Sequence, residues 1–111
     1  MRWSSSRREY VRRAGFVLMA QLAVHDKRAP DEALLRFLPV VVRESGDARN
    51  FVKKAVNWAL RQIGKRNRRL NAAAIATARE ILALDTRAGR WIARDALREL
   101  TSDRVQRRLK D

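Results

Sequence analysis

Tyr10-Val11-Arg12-Arg13-Ala14 returns 41 residues later as Phe51-Val52-Lys53-Lys54-Ala55: an aromatic, a valine, two bases and an alanine. A looser third copy, Trp91-Ile92-Ala93-Arg94, follows 40 residues after the second. A chain that repeats a cluster at this interval is built from stacked copies of one unit, each too small to bury its apolar face alone. The unit is helical, because apolar residues recur at helical spacing and only four Gly and two Pro interrupt the 111 residues. Val40-Val41-Val42 is β-like in isolation but has no alternating partner segment to pair with.

Local signals divide the chain into helices. Ser6 and Glu9 have the spacing of a capping box, so a first helix is expected from Ser6 to about Asp26, apolar on nearly every side between Ala14 and Val24. Pro30 suits the first helical position of a second helix, about Asp31 to Glu44, whose stripe is Leu34, Leu35, Leu38 and Val41. Pro39 lies inside it, removes one backbone hydrogen bond and predicts a kink. After Glu44-Ser45-Gly46-Asp47, further helices are expected from Ala48 to Lys65, Arg68 to Ala83 and Arg87 to Leu100. Thr86 or Asp85 can cap the last of these, and Thr101 or Ser102 a short C-terminal helix. The predicted fold is all-α: a HEAT-like α-solenoid of about five stacked helices plus that stub, with residues 1–111 forming one domain.

Superposing the repeat copies puts Arg13, Lys54 and Arg94 at one position, where stacking would align them into a basic stripe. Within residues 48–65, Val52, Ala55, Val56, Ala59 and Ile63 share one arc, with Lys54, Arg61 and Lys65 roughly opposite. Trp58 falls on the edge of the basic arc. Its counterparts in the other copies are Val17 and Arg98, so it is no part of the repeat's packing code. It can pack on an adjacent helix, as most tryptophans do, or lie against a nucleotide, and the basic arc favours the nucleotide.

Charge points to the same class of partner. Lys and Arg number 26 against 12 Asp and Glu, a formal net charge of +14, which makes a polyanion the default ligand. Cysteine is absent and His25 is the only histidine, which excludes thiolate metal sites, cysteine nucleophiles and most triads. No metal and no cofactor is expected. No run of about 18 apolar residues exists and the N-terminus lacks a signal peptide's apolar core, so the expectation is a cytoplasmic monomer with no membrane partner. Asp95, on a helix flank beside Arg94, is expected to be a buried carboxylate paired with a neighbouring helix; Asp26 and Asp31 sit where capping explains them. Lys65-Arg66-Asn67-Arg68-Arg69 reads as a solvated turn that adds phosphate attraction.

"NFVKKAVNWALRQIGKRN", "RWIARDALREL" and "EYVRRAGFVLMA" together resemble the DNA alkylation repair glycosylases built from HEAT-like repeats, the Trp-Ala-Leu-Arg on a basic helix being the most specific part. The resemblance implies a concave basic face that holds duplex DNA carrying N3- or N7-alkylated purines and promotes loss of the damaged base. It also implies roles: Trp58 as one of the tryptophans beside the lesion, Arg61 as an arginine at the site, Arg13 as a phosphate contact. Lys54, Lys65 and Arg94 complete the expected DNA-binding set. The family's catalytic aspartate lies in a Trp/Asp-rich segment upstream of the first helix, so this chain is expected to be the C-terminal portion, with no catalytic residue of its own. The alternative is a non-catalytic helical-repeat module that binds nucleic acid or an acidic protein. Five phosphate contacts, from Arg13, Lys54, Arg61, Lys65 and Arg94, would give log K a slope of about −4.5 against log salt.

Overall fold

The computed structural model describes residues 30–46 and 50–109, together with Gly15 and Leu18, which are both helical and exposed. The rest of the predicted first helix, with Ser6, Arg13 and His25, lies outside the described residues, as do the predicted start at Ala48 and the Val52 side chain. The described residues form five helices and no strand: α1 (Asp31–Glu44), α2 (Asn50–Gly64), α3 (Arg68–Ala83), α4 (Arg87–Leu100) and α5 (Asp103–Arg108).

The ends follow local chemistry. Pro30 takes the N-cap position rather than the first helical one, with extended backbone and its carbonyl accepting from Ala33. Asp31 and Glu32 then occupy the first turn, where their charge suits the helix dipole. Thr86, not Asp85, caps α4 by accepting from the Gly89 N–H, and Ser102 caps α5. Asp85 instead adopts a left-handed φ of 56° just past α3, a conformation that Asp tolerates better than most residues. α1 runs on through Pro39, which sits on its exposed face.

Leu34, Leu38 and Val41 of α1 are buried and Leu35 half-buried, as their spacing predicts. They meet Ala55, Val56, Ala59, Leu60 and Ile63 of α2, Leu70, Ala74, Ala78 and Ile81 of α3, and Ile92, Ala93, Ala96 and Leu100 of α4 in one core. From α1 to α4, each helix contacts the next and the next but one. Glu32 at the start of α1 pairs with Arg69 at the start of α3, 37 residues on. The same interval carries Ala55, Val56, Ala59 and Ile63 onto Ile92, Ala93, Ala96 and Leu100, all buried. Side-chain contacts between α2 and α4 run at intervals of 34, 35 and 38 residues. Lys54 and Arg94, which the sequence repeat aligns, are both exposed.

The helix junctions are closed by side chains. Asn67 accepts from the Leu70 N–H at the start of α3 and donates to Asp31 at the start of α1, 3.1 Å away. The basic run at 65–69 is an exposed turn between α2 and α3, as expected, tied to α1 through Asn67 and a surface pair of Arg69 with Glu32. Asn71, 5% exposed, donates to the carbonyls of Gly64 and Leu100 and accepts from Gln106, tying the ends of α2 and α4 to α5. No buried side-chain nitrogen or oxygen among the described residues lacks a partner. No helix among them is long and apolar enough to cross a membrane.

Candidate nucleic-acid interface

Residues spaced one turn apart on α2 meet residues spaced one turn apart on α4. The Lys53 ammonium lies 4.8 Å from the Trp91 ring centroid. Asn57 donates to the Ile92 carbonyl, Arg61 meets Asp95 and Glu99, and Lys65 meets Glu99. The partners advance together along both helices, so α2 and α4 run parallel.

Arg61 is the most constrained cation of this seam. Its Nε donates to Asn57 Oδ1 at 2.9 Å and its Nη1 to Glu99 Oε2 at 2.9 Å, with Asp95 Oδ2 3.7 Å from Nε. Only 24% of its side chain is exposed. Asn57 is itself buried and held by Ile92, so the guanidinium is fixed from two sides. Lys65 Nζ lies 2.7 Å from Glu99 Oε1, and Arg98 pairs with Asp95 at 2.6 Å. Asp95 meets the neighbouring helix as expected, but it is partly exposed rather than buried, and its shortest pair is with Arg98 on its own helix. Glu99 is the residue that sequence reasoning missed. Its signal was present as Asp95 and Glu99 at i,i+4 on α4, matching Arg61 and Lys65 at i,i+4 on α2.

Burial opposes ionisation of Glu99 and is the largest single influence on it. Hydrogen bonds from Lys65 and Arg61, together with their charges, outweigh it and hold the carboxyl below its ordinary value of 4.5. A depressed carboxyl stabilises the fold above its unfolded value, and that contribution is lost as pH falls through the lower folded value. Urea denaturation from about pH 6 down to about pH 3 should therefore show a steeper loss of stability below about 4.5 in the parent chain than in Glu99→Gln. Equal slopes would remove Glu99 from the acid response.

The other expected site residues divide by packing. Lys54 is exposed on the outward side of α2, and Arg94 on the outward side of α4, each with no ion-pair partner among the described residues. Trp58 is half-buried, with part of its ring against the core and part in solvent. Arg13 lies outside the described residues. On α2, then, Lys54, Trp58, Arg61 and Lys65 share one outward face, with Lys54 open and the last two held by acids from α4.

No curated protein and no solved structure matches the chain. Residues 1–100 of the 111 match the family described as DNA alkylation repair enzyme, and a match over that much of its length places the chain in the DNA alkylation repair enzyme family.

Proposed function

We propose that this chain is a single HEAT-like domain forming the DNA-binding portion of an alkylpurine glycosylase-like repair protein, and that it holds duplex DNA with alkylated purines on the outward basic face of α2. The observation that carries the reading is the family match over residues 1–100. The solenoid reading draws support from helices that each pack on the next and the next but one, since stacked repeats bury their faces in this way. The DNA reading draws support from the net charge of +14 and from a tryptophan set among cations on one helix face.

In this reading Lys54, Arg94 and Arg13 hold phosphates, Trp58 lies against a sugar or base beside the lesion, and Arg61 and Lys65 reach phosphate only as Glu99 yields them. Contacts of this kind position the duplex without reading its sequence, as damage recognition in any context requires.

Two expected results follow. Trp58→Ala should weaken duplex binding while costing less stability than the ~3–5 kcal/mol of a fully buried tryptophan, because the side chain is only partly buried. Anisotropy on a labelled duplex, paired with urea denaturation, measures both; a large stability loss with unchanged affinity makes Trp58 a packing residue only. Incubated with DNA containing 7-methylguanine, the 111-residue chain should release base at the spontaneous rate, since Asp95 and Glu99 are held by cations. Multiple turnovers would assign it catalysis as well as binding.

A further inference from the structure

Arg87, Trp91, Arg94 and Arg98 repeat along α4 the spacing of Lys54, Trp58, Arg61 and Lys65 on α2: a cation, a tryptophan four residues on, then cations three and seven beyond it. The two copies are packed in opposite ways. On α2 the tryptophan is half-buried and two of the three cations are held by acids. On α4 all four side chains are exposed, Trp91 to 43%, and they lie opposite the helix's buried stripe. Arg98 keeps 81% of its side chain exposed although it meets Asp95. Arg87 and Arg94 have no ion-pair partner among the described residues.

A lone exposed apolar side chain is ordinary and calls for no explanation. A tryptophan facing solvent with a cation on each turn beside it, and a lysine ammonium over its ring, is a different arrangement. It offers an aromatic surface for a base and positive charge for the phosphates on either side. Beyond Arg98 the track continues into a concavity where α4 meets α5, lined by Lys65, Arg98, Arg104 and Arg108 along with Glu99 and Ser102.

We propose that the outward face of α4, from Arg87 through Trp91 to the Arg98–Arg104–Arg108 concavity, is a second nucleic-acid surface and takes an unpaired strand. A duplex could satisfy the arginines, but its base faces are hidden in the stack and leave Trp91 without a partner. An unpaired strand presents phosphates and base faces together, and stacking on an aromatic tolerates any base. Arg87 to Arg98 spans about 16 Å along the helix, and with the concavity this suits a strand of roughly four to six nucleotides, the lower end of known single-strand sites. The surface stands apart from the duplex reading of α2, with Arg94 and, at the concavity, Lys65 common to both.

The test uses the full chain and two fluorescent probes, a 15-nucleotide oligothymidylate and a hairpin duplex. Trp91→Ala should weaken oligothymidylate binding roughly 5- to 100-fold, Trp91→Phe should retain most of it, and hairpin affinity should change less than about twofold. Arg87→Ala, also on the exposed face, should weaken the oligothymidylate complex in the same direction. Lys54→Ala should do the reverse, weakening the hairpin alone. Oligothymidylate that fails to bind, or binds Trp91→Ala and Arg87→Ala as it binds the parent, overturns the second surface and leaves the duplex reading standing. Equal loss on both probes also overturns it, by making α4 part of the duplex site. Binding of oligothymidylate but not of hairpin would overturn the duplex reading and leave this one. If Trp91→Ala alters the helical circular dichroism, quenching of Trp91 fluorescence by oligothymidylate in a Trp3→Phe/Trp58→Phe chain decides the question.

Discussion

Raising salt from ~50 to ~200 mM should weaken duplex binding by the parent chain roughly 40-fold, and by Glu99→Gln roughly 500-fold. The difference comes from two ion pairs. Each phosphate neutralised by a cation contributes about −0.9 to the slope of log K against log salt. Arg13, Lys54 and Arg94 give about −2.7, and this is the parent's expected slope while Arg61 and Lys65 remain on Glu99. Removing the Glu99 charge releases Lys65 and leaves Arg61 only the 3.7 Å contact with Asp95, which steepens the slope toward −4.5. Glu99→Gln should also bind more tightly at low salt, an advantage that shrinks as salt rises and screening weakens every contact. Lys54→Ala should flatten the slope by about one unit, whereas Arg36→Ala, exposed on α1 away from this face, should leave it unchanged. Anisotropy at four salt concentrations on one labelled duplex measures all four chains. A flat response in the parent sinks nucleic acid as the ligand, and identical slopes for parent and Glu99→Gln mean that Arg61 and Lys65 never reach phosphate.

Leu100→Ala should cost about 2–5 kcal/mol, a large fraction of the stability of a domain this size. Leu100 is fully buried at the end of α4 and fills the space beside Gly64 at the end of α2. A Cβ at Gly64 would stand 2.6 Å from Leu100 Cδ2 and 3.0 Å from Ala74 Cβ, so Gly64→Ala alone should destabilise by about 1–3 kcal/mol through overpacking. The two changes should not add. Once Leu100 is truncated, the new methyl at 64 enters the vacated space, and the double variant should be more stable than the sum of the single losses by about 0.5–3 kcal/mol. The Ala74 contact remains and keeps the rescue partial. Urea denaturation of the four chains, with m-values checked for constancy, gives the coupling. Strict additivity would mean that α2 and α4 do not meet at this point.

What the sequence alone determined is local. The bounds of α1, α3 and α4, the cap at Thr86 among the two residues offered, and the buried stripe of α1 were legible because helical period and capping act within a few residues. Asp95's pairing was legible too, from its place on a packing flank. The resemblance to the DNA alkylation repair family was read from contiguous strings such as the Trp-Ala-Leu-Arg helix, and the match over residues 1–100 bears out the family.

The tertiary structure alone decided which cations are free. Arg61 and Lys65 lie on the same arc as Lys54, and nothing in α2 itself sets them apart; acids that lie more than 30 residues further on do so. The sequence repeat could not locate those acids, because it aligns Asp95 with Ala55 and Glu99 with Ala59, whereas the contacts pair them with Arg61 and Lys65. Side-chain identity is a property of the chain. Whether a cation meets a carboxylate or is left for a phosphate depends on how two helices are turned against each other, and only the packed core sets that angle.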